Sequence, residues 1–267
     1  MLSSPFSLFA GRSGESNIVS VPLISQIKKM SPVRYELEYE VGKSREVAQL
    51  ALHSHVHSLF RSNPQTCFQL NYSQAFRLSV PNIPGIVDTH FIGQGVPISF
   101  LEDHFTRFPT HRTATIETAI QNGEVFSNHS KFLRLETLFC QNSGRRAGEI
   151  IRGYRGKNLR VSKAESTDQE VRDLLTGWSE NREGYQNLER VIIELDERRE
   201  YQFSEDAIFE GLSMLPWDTL RRPASKASLL VYAQWNFSEA KDIQRKIDGK
   251  WAYVVVKPTK LFFGVWD

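Results

Sequence analysis

The chain has 267 residues, 40% of them hydrophobic and 24% charged, with a formal net charge of +2. Its pI is about 8.5. That length suits one large domain or two small ones, and the composition is that of an ordinary globular protein with room for a core. So mild a charge excludes a strongly basic nucleic-acid-binding chain, so the distribution of charge matters more than its sum.

No apolar run approaches the roughly 20 residues of a membrane span. Cys67 and Cys140 lack a CxxC neighbour, which argues against a zinc knuckle or a disulfide framework and for a reducing, cytoplasmic setting. Residues 1–30 read as an irregular arm, rich in Ser and Gly at its start, with a short edge strand over 18–29 that Pro22 keeps off the sheet centre.

From there the elements follow in order. In VRYELEYEV, Val33, Tyr35, Leu37 and Tyr39 alternate with charged residues, which predicts a half-buried strand over 33–41. GKS is a turn, Ser44 a plausible N-cap, and REVAQLALHSHVHSLF a helix closed by Asn63-Pro64. Residues 66–72 and 75–80 read as two strands or one bent strand, and Ile86 to Ile92 as another, broken at Gly93. PISFLEDHFTRF predicts a helix with Pro97 in its first turn. Residues 113–120 fit a strand or a short helix, Asn122-Gly123 is a turn signal, and KFLRLETLFC (131–140) is a strand. The order β-α-β-β-α-β over 31–142 predicts an α+β protein with a ferredoxin-like (RRM-like) unit, whose free sheet face would suit RNA.

Seven basic side chains crowd 143–165 against one acid, Glu149, within 145–163: Arg145, Arg146, Arg152, Arg155, Lys157, Arg160 and Lys163. Such a stretch can track a phosphate backbone, although four interleaved glycines lower its helix propensity. A second α+β unit is predicted over 166–267. It contains a polar helix and loop over 167–189, a strand in RVIIELDE, a helix over 204–215 capped by Ser204, a strand over 228–237, a helix over 238–247, and a terminal hairpin of 251–257 with 261–266. No internal repeat stands out.

Three constellations carry candidate chemistry. His53, His55 and His57 close the helix after the first strand, and His53 and His57 share a face. They suit a metal pair, with VDTH at 87–90 as a second piece, or a single general acid/base needing no cofactor. The basic stretch suits phosphates. Phe68, Tyr72, Phe76 and Tyr154 are candidates for stacking on bases, and Glu194 with Asp196 are candidate acids on a strand.

The run of features resembles the CRISPR RNA-processing endoribonucleases, especially the compact type I-F kind. AQL and VHSLF flank the helix, FQLNYS stands at a short strand, ISFLEDHF at the next helix, and FLRLETLFCQNSGRRAGEIIRG where the family's last N-terminal strand runs into an arginine-rich helix. That resemblance spans residues 33 to 160. It implies that His57 is the general base that deprotonates a ribose 2′-OH, whose attack on the adjacent phosphate cleaves RNA without metal. It also implies that Arg145, Arg146, Arg152 and Arg155 grip an RNA hairpin retained in a ribonucleoprotein with other subunits. Two other readings stay open: a metal-dependent hydrolase built on the histidines, and a non-enzymatic assembly subunit of a virus or large complex.

Overall fold

The structure, a computed structural model, describes residues 87–93, 95–216, 218 and 239–266 in full, and the backbone at 24–31, 34–39, 66–71, 86, 225–227 and 234–236. The helix over 44–60 with its three histidines, the strand expected at 75–80 and most of the strand expected at 228–237 lie outside the described residues.

Fourteen strands are described. Strands β1 (Ile24–Ser31) and β2 (Arg34–Tyr39) form an antiparallel pair. Then come β3 (Thr66–Asn71), β4 (Ile86–Ile92), β5 (Thr113–Ile116), β6 (Thr137–Cys140), β7 (Asn158–Ala164) and β8 (Arg190–Leu195). Strand β9 is Met214–Pro216, and β10 (Ser225–Ala227) pairs with β11 (Gln234–Asn236). The chain closes with β12 (Lys241–Gln244), β13 (Trp251–Lys257) and β14 (Lys260–Val265). The described helices are α1 (Ile98–Arg107), α2 (Ala147–Gly153), α3 (Asp168–Ser179) and α4 (Glu205–Phe209).

One ten-stranded sheet, ordered β3-β4-β5-β6-β7-β8-β14-β13-β12-β9, organises the protein. Its first six strands are parallel and lie in chain order; the remaining four join antiparallel. The α+β class is as expected, but the pairing departs from a ferredoxin-like unit. Strands β4, β5 and β6 are parallel neighbours, where that arrangement needs antiparallel ones. Nor do the boundaries expected at 142 and 166 divide the sheet, because β6, β7 and β8 are consecutive members of it.

The ladder explains this order. Phe91, Ile116, Cys140, Val161 and Ile193 are successive partners across five strands, at advances of 25, 24, 21 and 32 residues. A strand with its return segment, repeated at roughly 20–29 residues, is the spacing of a leucine-rich solenoid. Loops beyond the strands stack too: Val96 pairs with Ile120 and Gly144 with Ala164, both in parallel.

Every second strand residue points inward. Phe91, Ile116, Leu138, Leu159, Val161, Val191, Ile193 and Leu261 are buried in one cluster with helix residues Leu101, Phe105, Ile150, Leu174 and Trp178. Helix α3 begins with a capping box, Thr167 accepting from the Glu170 N–H while the Glu170 carboxylate accepts from the Thr167 N–H. Gly156 is dictated by crowding, since a Cβ there would lie 1.8 Å from the Leu135 carbonyl oxygen. The Tyr154 hydroxyl nearby lies 2.8 Å from the Glu136 and Asn158 carbonyl oxygens. Tyr154 is therefore core, and its ring is not available for stacking on a base. The segment expected as a helix over 238–247 contains β12 instead, paired with β13 through Ile243–Ala252; two sheet neighbours outweigh the polar pattern. The terminal hairpin and the helix after Pro97 form as expected.

A polar pair sits within the aromatic core under β4. The His104 ring lies 5.2 Å from Phe91 and 5.3 Å from His111 between centroids, and neither His104 nitrogen has a hydrogen-bond partner among the described residues. His111 Nδ1 lies 2.7 Å from the Thr89 hydroxyl. Burial, aided by His111 and Arg107, lowers His104 to about 3, and burial lowers His111 to about 4 against the pull of Asp88. Both values lie below the ordinary imidazole value of 6.5, so the unfolded chain takes up protons first as pH falls. The stability these residues contribute is complete above about pH 6.5 and is lost as pH falls from there towards 4 and 3. Urea midpoints are expected to drop between neutral pH and pH about 5, and His104→Leu is expected to flatten much of that drop. An equal drop in the variant would place the proton uptake elsewhere.

Candidate functional site

The outer face of the sheet is built by the same alternation that makes the core. One row of cross-strand partners runs His90, Thr115, Phe139, Arg160, Ile192 and Phe262. Its antiparallel end is apolar, with Ile192, Tyr253, Val255 and Phe262 buried in a second cluster beside Ala240 and Trp266. Its parallel part is half-buried and polar, and carries a cleft of about 360 Å³ lined by Thr115, Phe139, Gln141, Arg160, Ser162, Lys163 and Glu194, among others.

Glu194 is the electrostatic centre of this cleft. Arg160 donates to it through Nε at 3.1 Å and Nη2 at 2.9 Å, Lys260 Nζ lies at 3.2 Å, and the Ser162 hydroxyl donates to the same carboxylate. Burial alone would raise its pKa, but the bonds from Ser162, Arg160 and Lys260 together hold it below the usual range. Its strand neighbour Asp196 is held down to about 2, chiefly by the Arg198 side chain. Both candidate acids are therefore ionised near neutral pH, and neither is a proton donor there. Burial pushes the Cys140 thiol up, so the cysteine at the cleft floor is no nucleophile. Lys163 lines the rim from a left-handed backbone, φ 48°, where β7 shifts register against β8 between Val161 and Ala164. A non-glycine residue at positive φ is uncommon and marks an imposed conformation.

The six basic residues expected to bind RNA separate. Arg160 is on the outer face with the cleft. Arg145 lies 3.6 Å from Glu165 and is largely exposed. Arg146 lies 2.7 Å from Glu149, whose other oxygen accepts from the Phe126 N–H. Arg152 lies 2.7 Å from Glu170, the capping-box acid of α3. Gly148 is needed for that contact, because a Cβ there would overlap the Glu170 carboxylate. Arg155 donates to the carbonyls of Arg152 and Tyr154 and sits over the Tyr185 ring. Lys157 lies 3.0 Å from Glu136. Carboxylates remote in sequence thus meet much of the stretch that reads as nearly acid-free, and the residues do not form one phosphate track.

His57, the candidate general base, and its neighbours His53 and His55 lie outside the described residues. Of the VDTH segment, Thr89 faces the core while His90 Nε2 lies 3.0 Å from the Glu117 carboxylate. Among the described residues no group of three or more His, Cys, Asp or Glu is placed to hold a metal ion. Sequence reading singled out Glu194 and Arg160 but missed Thr115, Phe139, Gln141 and Ser162. Their only signal is alternation against the buried positions of each strand.

Removing the central carboxylate leaves Arg160 and Lys260 without a shared acceptor, so Glu194→Ala is expected to cost about 1–3 kcal/mol, with Glu194→Gln costing less. Chemical denaturation checks this, and an unchanged midpoint for the alanine variant would mean that Glu194 is dispensable to the fold. Comparison with known proteins finds no matching family model, no matching curated protein and no matching solved structure.

Proposed function

We propose that the protein is a non-catalytic binding module that takes a segment of another polypeptide across the outer face of its sheet. The observation that carries this reading is the row Thr115, Phe139, Arg160 and Ile192, brought into register from four strands beside a cleft of about 360 Å³. Aromatic residues and arginine are the types enriched where proteins meet. The cleft lining contains no histidine, and its acid is saturated by donors. An array of parallel strands in chain order offers one extended surface rather than a deep reaction chamber.

RNA cleavage through His57, with Arg145, Arg146, Arg152 and Arg155 gripping a hairpin, is the rival reading. Its support is weaker because those arginines are tied to Glu165, Glu149, Glu170 and backbone carbonyls. A hydrolase using His53, His55 and His57 is the other rival.

The test is selection of phage-displayed random linear peptides on the full-length protein. A consensus is expected, and its synthetic peptide should bind about tenfold or more weakly to Phe139→Ala, the loss typical of a central aromatic contact, with the melting temperature unchanged. The reading fails if no consensus appears. It also fails if hairpin RNA is bound at low salt through the four arginines, or is cut by the wild type and not by His57→Ala.

A further inference from the structure

The cleft is more basic than its single acid suggests. Three cations surround or adjoin it, Arg160 and Lys163 in its lining and Lys260 on Glu194, against one carboxylate that already accepts from Arg160, Lys260 and Ser162. Glu194 grips Arg160 through Nε and one terminal nitrogen, which fixes the guanidinium plane beside the cleft instead of cancelling its neighbours. The hydroxyls of Thr115 and Ser162 and the amide of Gln141 line the same space, with Phe139 as its apolar wall. The register shift in β7 and the left-handed Lys163 bring a further ammonium-bearing side chain to the rim, a conformation that L residues adopt only under constraint.

We infer that this cleft is an anion pocket that receives the charged head group of an acidic side chain, carboxylate or phosphoryl, from the bound polypeptide. The inference rests on the polypeptide-binding reading above and adds the chemistry of the recognised side chain. A planar carboxylate or a tetrahedral phosphoryl group meets the same donors here: a fixed guanidinium, a mobile ammonium and short polar side chains. An uncharged amide of the same shape as a carboxylate gains none of the charge-assisted bonds.

The experiment is a titration of the full chain, followed in two-dimensional amide and arginine Nε–H spectra. O-phosphoserine, N-acetylglutamate and the neutral N-acetylglutamine are compared as probes. Saturable shifts confined to Phe139, Gln141, Arg160, Ser162 and Lys163 are expected from at least one anion and not from N-acetylglutamine; the stronger of the two anions identifies the source. Lys163→Asn keeps a residue tolerant of the left-handed conformation and removes the charge. It should weaken the anion about threefold to fivefold, as for a partly exposed ion pair, while Lys131→Asn, on the surface elsewhere, should not. Shifts from neither anion, equal shifts from N-acetylglutamine, or full affinity in Lys163→Asn would overturn the inference. Saturable anion shifts with no peptide consensus would sink the polypeptide reading alone. A consensus of neutral peptides with no anion shifts would sink the pocket alone.

Discussion

The inner row of the sheet, from Phe91 through Ile116, Cys140, Val161 and Ile193 to Leu261, sets the rest of the molecule. Each is a buried residue on its own strand, and each is a direct neighbour of the next. Burying such a row removes apolar area from water at about 25 cal/mol per Å², and a strand can join it only with the correct face inward. A slip of one residue would send Leu138 and Cys140 to the outer face and bring Phe139 into the core, which is why register is so strongly fixed. Helices α1, α2 and α3 are placed by the same requirement, since their apolar faces have this row and its companions to cover.

That constraint also determines what is available for function. Once Leu159 and Val161 are committed inward, Arg160 and Ser162 must point outward, and their ladder partners Phe139 and Ile192 stand beside Arg160. The cleft is therefore a by-product of the core pattern that carries functional side-chain types. At the antiparallel end the outer face closes over itself in a second apolar cluster. Polar, half-buried residues remain where the parallel strands lie.

Much of the local structure was legible in the sequence. The strand over Ile86–Ile92, the helix after Pro97, the strand in RVIIEL and the terminal hairpin all follow from periodicity and punctuation. Their parallel assembly in chain order was not, and the reason lies in particular residues. The positions that carry Leu135, Leu138 and Cys140 in one coil carry Leu188, Val191 and Ile193 in another, but His111, Ala114 and Ile116 or Gly156, Leu159 and Val161 in those between. His111 and Gly156 mask the repeat. One is a buried imidazole bonded to Thr89, and the other is a glycine imposed by the Leu135 carbonyl. The basic stretch misled for a related reason: its acids are supplied from Glu136, Glu165, Glu170 and Glu194, which no local window contains.

Those distant acids decide which face can recognise a ligand. On the helix layer, Arg146 and Arg152 are each consumed by a carboxylate that itself holds backbone in place, Glu149 through the Phe126 N–H and Glu170 through the Thr167 N–H. Drawing either arginine away would leave a carboxylate short of a partner and loosen a loop or a helix start. On the outer face Glu194 has Ser162 and Lys260 as well as Arg160, so it stays satisfied if the guanidinium turns part of its charge towards a newcomer. Redundant donors around one acid leave positive charge to spend on a ligand. A carboxylate shared between one arginine and the backbone does not, which is why recognition belongs to the face with fewer arginines.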